Sequence, residues 1–108
     1  MMLLEKIMRS GYTMTIIQGV SDPICDVVDV EVVLENGDRY IPTLVTLEWI
    51  RQFWQRQDPN SLQSKWYWEV DFVVVKQLTR EIIIGVIDEM VQKDHISSIS
   101  KRYLRDDD

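Results

Sequence analysis

The chain has 108 residues, 45% of them hydrophobic, which suits a single domain over residues 1–108 and leaves little room for a second. Eighteen acidic against 12 basic side chains give a net charge of −6; that argues against nucleic-acid binding, where affinity comes from clustered Lys and Arg, and favours a basic partner. One cysteine, Cys25, and one histidine, His95, exclude an intrachain disulfide, a thiolate zinc site and a two-histidine metal site, and no apolar run approaches the ~20 residues that span a bilayer.

Met1 to Ser10 mixes Met2, Leu3, Leu4, Ile7 and Met8 with acid and base, a pattern that suits a short amphipathic helix ended by Ser10-Gly11. It lacks a basic start and a small-residue cleavage site, so it does not read as a secretion signal, and a cytoplasmic location is the simplest expectation. Tyr12 to Val20 is β-branched and apolar and reads as a first strand, closed by Ser21-Asp22-Pro23. Asp26 to Glu35 alternates: Val28, Val30, Val32 and Leu34 share one face, and Asp29, Glu31, Val33 and Glu35 the other. Asn36-Gly37 is a hairpin signal of the type I′ kind, followed by a return strand Arg39-Tyr40-Ile41 that Pro42 stops. A two-residue loop there sets Glu35 opposite Asp38, a like-charge pair that is locally unfavourable.

Thr43 or Thr46 caps a helix with Glu48 in its first turn; Leu47, Ile50, Phe53 and Trp54 form its apolar face and Trp49 sits at the rim. After Asp58-Pro59-Asn60-Ser61 and a polar loop, the stretch KWYWEVDFVVVKQ enters a further strand. Strand alternation puts Trp66, Trp68, Val70, Phe72 and Val74 toward the core and Tyr67, Glu69, Asp71, Val73 and Val75 on the opposite face. A base-stacking platform needs exposed aromatics flanked by Lys or Arg, whereas the neighbours here are Glu69 and Asp71. Thr79 caps a second helix with an apolar stripe of Ile82, Ile83, Val86, Ile87 and Met90; Gly85, costly in a helix interior, suggests close packing. Ile96, Ile99 and Tyr103 are positioned to dock the tail, and residues 104–108, which end in Asp106 to Asp108, form a frayed acidic tail. The expected fold is α+β in two layers: a small, mostly antiparallel sheet, order β-β-β-α-β-α, with two helices on one face.

Chemistry is scarce. Glu69 and Asp71, or Asp29 and Glu31, could pair as carboxylates, yet acid–base catalysis needs a pocket that drives two pKa values apart. Four scattered glycines make no phosphate loop, and His95 in Gln92-Lys93-Asp94-His95 reads as a solvated helix-end residue. No enzyme, cofactor or metal is expected. From Asp22 to Asp38 the chain carries Asp22, Asp26, Asp29, Glu31, Glu35 and Asp38 and no Lys or Arg. That run is either a solvated sheet face or a docking face for a cationic protein.

The succession of a first strand, an acidic hairpin with LENGDRY, the threonine-capped PTLVTLEWIRQFW, the strand WYWEVDFVVV and the capped helix QLTREIIIGVIDEMV resembles the small acidic immunity proteins encoded beside bacterial polymorphic or contact-dependent toxins. The resemblance spans roughly residues 14–99 and is one of architecture and diffuse pattern. It implies a chain that begins with the first strand at Met14, residues 1–13 being an extension, and a function of binding and neutralising a cognate toxin domain, often a nuclease. The family has no shared binding motif, so the candidate partner-binding residues come from exposure and charge: Asp29, Glu31, Glu35 and Asp38 on the hairpin, with Tyr67, Glu69 and Asp71 on the later strand. Two other readings stand beside it: a phage or mobile-element inhibitor that imitates nucleic acid, and a small ligand-binding module built on Trp66, Tyr67 and Trp68. The hairpin edge is open to a partner strand or to a second copy in a homodimer.

Overall fold

A computed structural model describes residues 5–17, 20–62, 72–100 and the backbone of 102–103. Its first element corrects the sequence reading. Glu5–Arg9 is a strand, β1, which turns back through Ser10-Gly11 into β2 (Tyr12–Ile16), with Gly11 at φ 85°. The helix expected over Met1 to Ser10 does not form across its described part. A ladder with β2 from Glu5↔Ile16 to Arg9↔Tyr12 satisfies the backbone of this short segment, whereas an isolated helix of that length does not repay its nucleation.

β2 pairs in turn with β3 (Val27–Leu34), from Tyr12↔Leu34 to Ile16↔Val30. The valine alternation reads as expected: Val28, Val30 and Val32 are fully buried, Asp29 is exposed, and Glu31 and Val33 are half-buried on the opposite face. The far side of β3 pairs first with β4 (Arg39–Tyr40), as Val33↔Arg39 and Val32↔Tyr40. It then continues in the same register with β5 (Thr43–Thr46), as Asp29↔Thr43, Val28↔Leu44 and Val27↔Val45. Pro42 interrupts this run without ending it, because proline lacks only the donor; its carbonyl still accepts from the Val30 N–H at 3.0 Å.

At the tip, Asn36-Gly37 does not make the expected two-residue turn. The Gly37 N–H donates to the Leu34 carbonyl and the Leu34 N–H to the Asp38 carbonyl, both at 2.9 Å, and only Gly37 has positive φ, at 90°. The loop is therefore the three residues Glu35-Asn36-Gly37, with glycine in the left-handed position. The Asn36 side chain fixes it by accepting from the Asp38 N–H at 2.9 Å. Leu34, not Glu35, then faces Asp38, and the like-charge pair disappears.

Thr46 is the cap of α1 (Leu47–Gln55); its Oγ1 accepts from the Trp49 N–H at 3.2 Å. Thr43, the alternative cap, is strand. Of the expected apolar face, Ile50 is buried and Phe53 and Trp54 are half-buried, but Leu47 is 61% exposed. Trp49 stacks on Phe53 with centroids 5.7 Å apart. Beyond α1, β6 (Phe72–Val75) lies parallel to β5, from Thr43↔Phe72 to Thr46↔Val75, the one parallel pairing described. Its phase is the reverse of the expected one. Val75 is buried and Val73 packs on the core, while Val74 is 47% exposed and Phe72 half-buried. The parallel register causes this, since it sets Val73 beside Leu44, a member of the main core cluster, and Val74 beside Val45, which is buried outside that cluster. Trp66, Trp68 and Val70 lie outside the described residues.

α2 (Arg80–Gln92) is capped by Thr79, whose Oγ1 accepts from the Ile82 N–H at 3.2 Å. Its Ile83, Ile87 and Met90 pack with Tyr12, Met14, Ile16, Val28, Val30 and Val32 in one buried cluster, and Ile50 of α1 lies outside it. Gly85 is not explained by close packing: a Cβ there meets nothing within 4 Å. The helix ends in a Schellman motif, with the His95 N–H on the Met90 carbonyl at 2.8 Å, the Asp94 N–H on the Val91 carbonyl at 3.1 Å, and Asp94 at φ 56°. His95 is exposed there, and α3 (Ile96–Ile99) buries Ile96. β7 (Arg102–Tyr103) pairs with β4.

The fold is α+β around a mostly antiparallel sheet, with an element order β-β-β-β-β-α-β-α-α-β that is longer than the expected one. β3 lies between β2 and the β4–β5 run, and β4 between β3 and β7. The hairpin therefore offers no free edge for the second copy expected there, and among the described residues β1 is an edge of the sheet instead. Among the described residues no helix is long and apolar enough to cross a membrane.

Candidate functional site

The outward face of β3 follows from its alternation. Every residue opposite the buried valines points away from α2, and the ladder extends this face sideways in rows: Lys6, Thr15 and Glu31 in one, Met8, Thr13, Val33 and Arg39 in the next, Asp29 and Thr43 in a third. Threonines dominate its centre because β-branched polar side chains suit a half-solvated strand.

The acids on this hairpin are held in different ways. Asp29 is exposed, and its carboxylate accepts from the Thr43 hydroxyl at 2.6 Å, which orients it on the open face. Glu31 lies 3.6 Å from the Arg39 guanidinium, an ion pair between neighbouring strands that partly neutralises it. Glu35 is exposed on the loop, and the Asp38 carboxylate accepts from the Asn36 side-chain amide at 3.2 Å. From Asp29 to Glu35 the strand rises about 20 Å, so these groups form a line and not a pocket. Tyr67, Glu69 and Asp71 lie outside the described residues; the alternation that assigned them to this face is reversed over Phe72 to Val75.

The other acids of the cation-free run serve the fold. Asp26 accepts from the backbone N–H of Val27 at 2.8 Å, Ser21 at 2.9 Å and Asp22 at 3.4 Å, and from the Ser21 hydroxyl at 3.2 Å. Partial burial raises its pKa, but these donors outweigh that and hold it below the usual carboxylate value. Asp22 accepts from the Ile24 N–H at 3.0 Å and shapes the same turn.

A second polar cluster escaped the sequence reading. Arg9 on β1 grips Asp88 on α2 with two bonds, Nε to Oδ1 at 3.0 Å and Nη2 to Oδ2 at 2.5 Å, and the Tyr12 hydroxyl donates to the same carboxylate. The Arg9 bond holds Asp88 below the usual carboxylate range, while burial, reinforced by Asp88, pushes the Tyr12 phenol up. At the other end of β1, Arg80 Nε donates to Glu5 at 2.6 Å. Arg80 and Asp88 are separated by about 12 Å along the helix and Glu5 and Arg9 by about 13 Å along the strand, so the two rises match and the pairs close together. Beside the Glu5–Arg80 pair lies an open groove of about 340 Å³ walled by Ile16, Val20, Leu78 and Ile83. No local signal announces the clasp, because Arg9 and Asp88 lie 79 residues apart in the chain. Among the described residues no group of His, Cys, Asp and Glu could hold a metal ion.

No family model, no curated protein and no solved structure matches the chain.

Proposed function

We propose that this protein is an immunity protein that binds a cognate toxin domain, a nuclease in the first instance, and blocks its substrate path. The observation that supports the reading most is the line of acids on the outward face and tip of the β3 hairpin. Asp29 is oriented by Thr43, Glu35 stands on the loop with Asp38 just past it, and the whole of residues 22–38 contains no cation. A nuclease carries a basic groove for phosphates. An acidic, preoriented surface meets it with long-range steering and charge-assisted hydrogen bonds. The cytoplasmic location belongs to the same reading, since an immunity protein must meet the toxin where its substrate is. The nucleic-acid imitator is less well supported, because Arg39 and Lys6 interrupt the acids on this face.

The test is the gene next door and its product. The adjacent gene is expected to encode a large secreted protein with a variable C-terminal toxin domain, and that domain is expected to co-purify with the full chain. E31K and E35K together should weaken the complex at least about tenfold at low salt and less at high salt, where screening removes the attraction. A complex whose affinity ignores both substitutions at low salt rules out the hairpin as the docking face, and a toxin domain that never co-purifies rules out the function.

A further inference from the structure

We propose that β1 is the interface of a symmetric homodimer, in which two copies join edge to edge, antiparallel, about a two-fold axis through Ile7. This is independent of the toxin reading and uses none of the hairpin acids.

The hydrogen-bonding phase comes first. The Ser10-Gly11 loop has two residues, so the flanking pair Arg9↔Tyr12 must exchange both backbone bonds; by alternation Ile7↔Met14 and Glu5↔Ile16 do the same. The N–H and C=O groups of Lys6 and Met8 consequently point away from β2, out of the sheet edge. Two such edges run antiparallel with Ile7 opposite Ile7 of the second copy. They bring Lys6 of each copy opposite Met8 of the other, with all of these outward groups paired.

Charge selects that register among the alternatives. Pairing about Ile7 sets Glu5 of one copy opposite Arg9 of the other, twice. A parallel in-register edge would set Glu5 against Glu5 and Arg9 against Arg9, which cross-strand electrostatics disfavours. The clasp onto α2 extends the pattern, because Glu5 already meets Arg80 and Arg9 already meets Asp88. Across the axis the order becomes Arg80, Glu5, Arg9, Asp88, alternating in sign without a break. Opposite residues in an antiparallel pair point to the same face, so both copies keep α2 on one side of a continued sheet. The chain's net charge of −6 does not oppose this contact locally, since β1 itself carries Glu5 against Lys6 and Arg9. Ile7, half-buried in one copy, and Met8, 75% exposed, gain cover at the axis.

The experiment uses the full chain alone. Sedimentation equilibrium from micromolar to near-millimolar concentration is expected to give twice the monomer mass at the upper end. Met8→Pro removes an N–H that β2 does not use, so the monomer should keep its thermal midpoint within a few degrees. The dimer dissociation constant should rise at least about tenfold, because the two-fold axis loses the bond twice. Ile7→Cys in a Cys25→Ser background should form a disulfide dimer on mild oxidation, and Met8→Cys in the same background should not, its partner position being Lys6. A chain that stays monomeric throughout overturns the proposal. So does a dimer untouched by Met8→Pro, or equal cross-linking at positions 7 and 8. If Met8→Pro fails to fold, the cysteine pair decides.

Discussion

The two main helices begin alike and are held differently. Both carry a threonine cap whose hydroxyl accepts from the third helical N–H, and both place a glutamate in the first turn. α1 has the cleaner amphipathic pattern, yet it fully buries only Ile50 and leaves Leu47 in solvent; α2 is apolar on more sides and buries Ile83, Ile87 and Met90. Burial follows what the sheet presents to each helix and not the regularity of the stripe. α2 lies over the valines and methionine of β2 and β3, while α1 serves a crossover between β5 and β6 and is anchored at its start.

Substitutions can break that contrast. Ile87→Ala removes side-chain volume from a fully buried site and should cost about 2–5 kcal/mol, measured by chemical denaturation. Thr46→Ala comes next, at about 2 kcal/mol against about 1 kcal/mol for Thr79→Ala, because Thr46 Oγ1 accepts from the Asp26 N–H at 3.1 Å as well as from its helix. Equal losses at the two caps would mean that α1 is not anchored there. Asp88→Asn should cost about 1 kcal/mol at pH 6, a modest figure because Arg9 is partly exposed. The sign of its pH dependence is fixed: the folded carboxylate titrates below its unfolded value of 3.8, so the contribution is full above that value. It fades as the pH falls through the folded pKa, so the gap between the wild type and the variant should narrow as the solution is acidified below pH 3.8. Gly85→Ala, in open space, should stabilise by up to about 1 kcal/mol. Leu47→Ala should change stability by less than about 0.5 kcal/mol; a cost near that of Ile87→Ala would show that the α1 stripe is buried after all.

What could be read from the sequence was what neighbours in the chain decide. The alternation of Val28, Val30 and Val32 names a face by itself, and Thr79 followed by an apolar stripe names a capped helix. The misreadings share the opposite property. Glu5–Arg9 is too short to show a period, and a partner strand makes it β. Phe72 to Val75 is apolar at every position, so its phase belongs to the parallel neighbour β5. Asn36-Gly37 serves two loop lengths, and the register of β4 and β5 along β3 selects the longer. Of the candidate residues, the exposure of Asp29 and Glu35 was legible from alternation and turn chemistry, whereas Glu31 and Asp38 are half-buried, Glu31 beside Arg39 and Asp38 against the Asn36 side chain. The demotion of Asp22 and Asp26 to turn-building was not, because it depends on which backbone donors the folded loop turns inward.

The clasp between β1 and α2 also sets a timetable. The ribosome releases the chain from its start, so β1, β2 and β3 emerge well before Asp88 and Arg80 exist to meet Arg9 and Glu5. At about 5–20 residues per second, the apolar side of the young meander waits roughly 3–12 seconds for its covering helix. Through that interval Met14, Val28, Val30 and Val32 are bare, and their protection rests on the charges of β1 and on whatever nascent-chain binder the cell supplies.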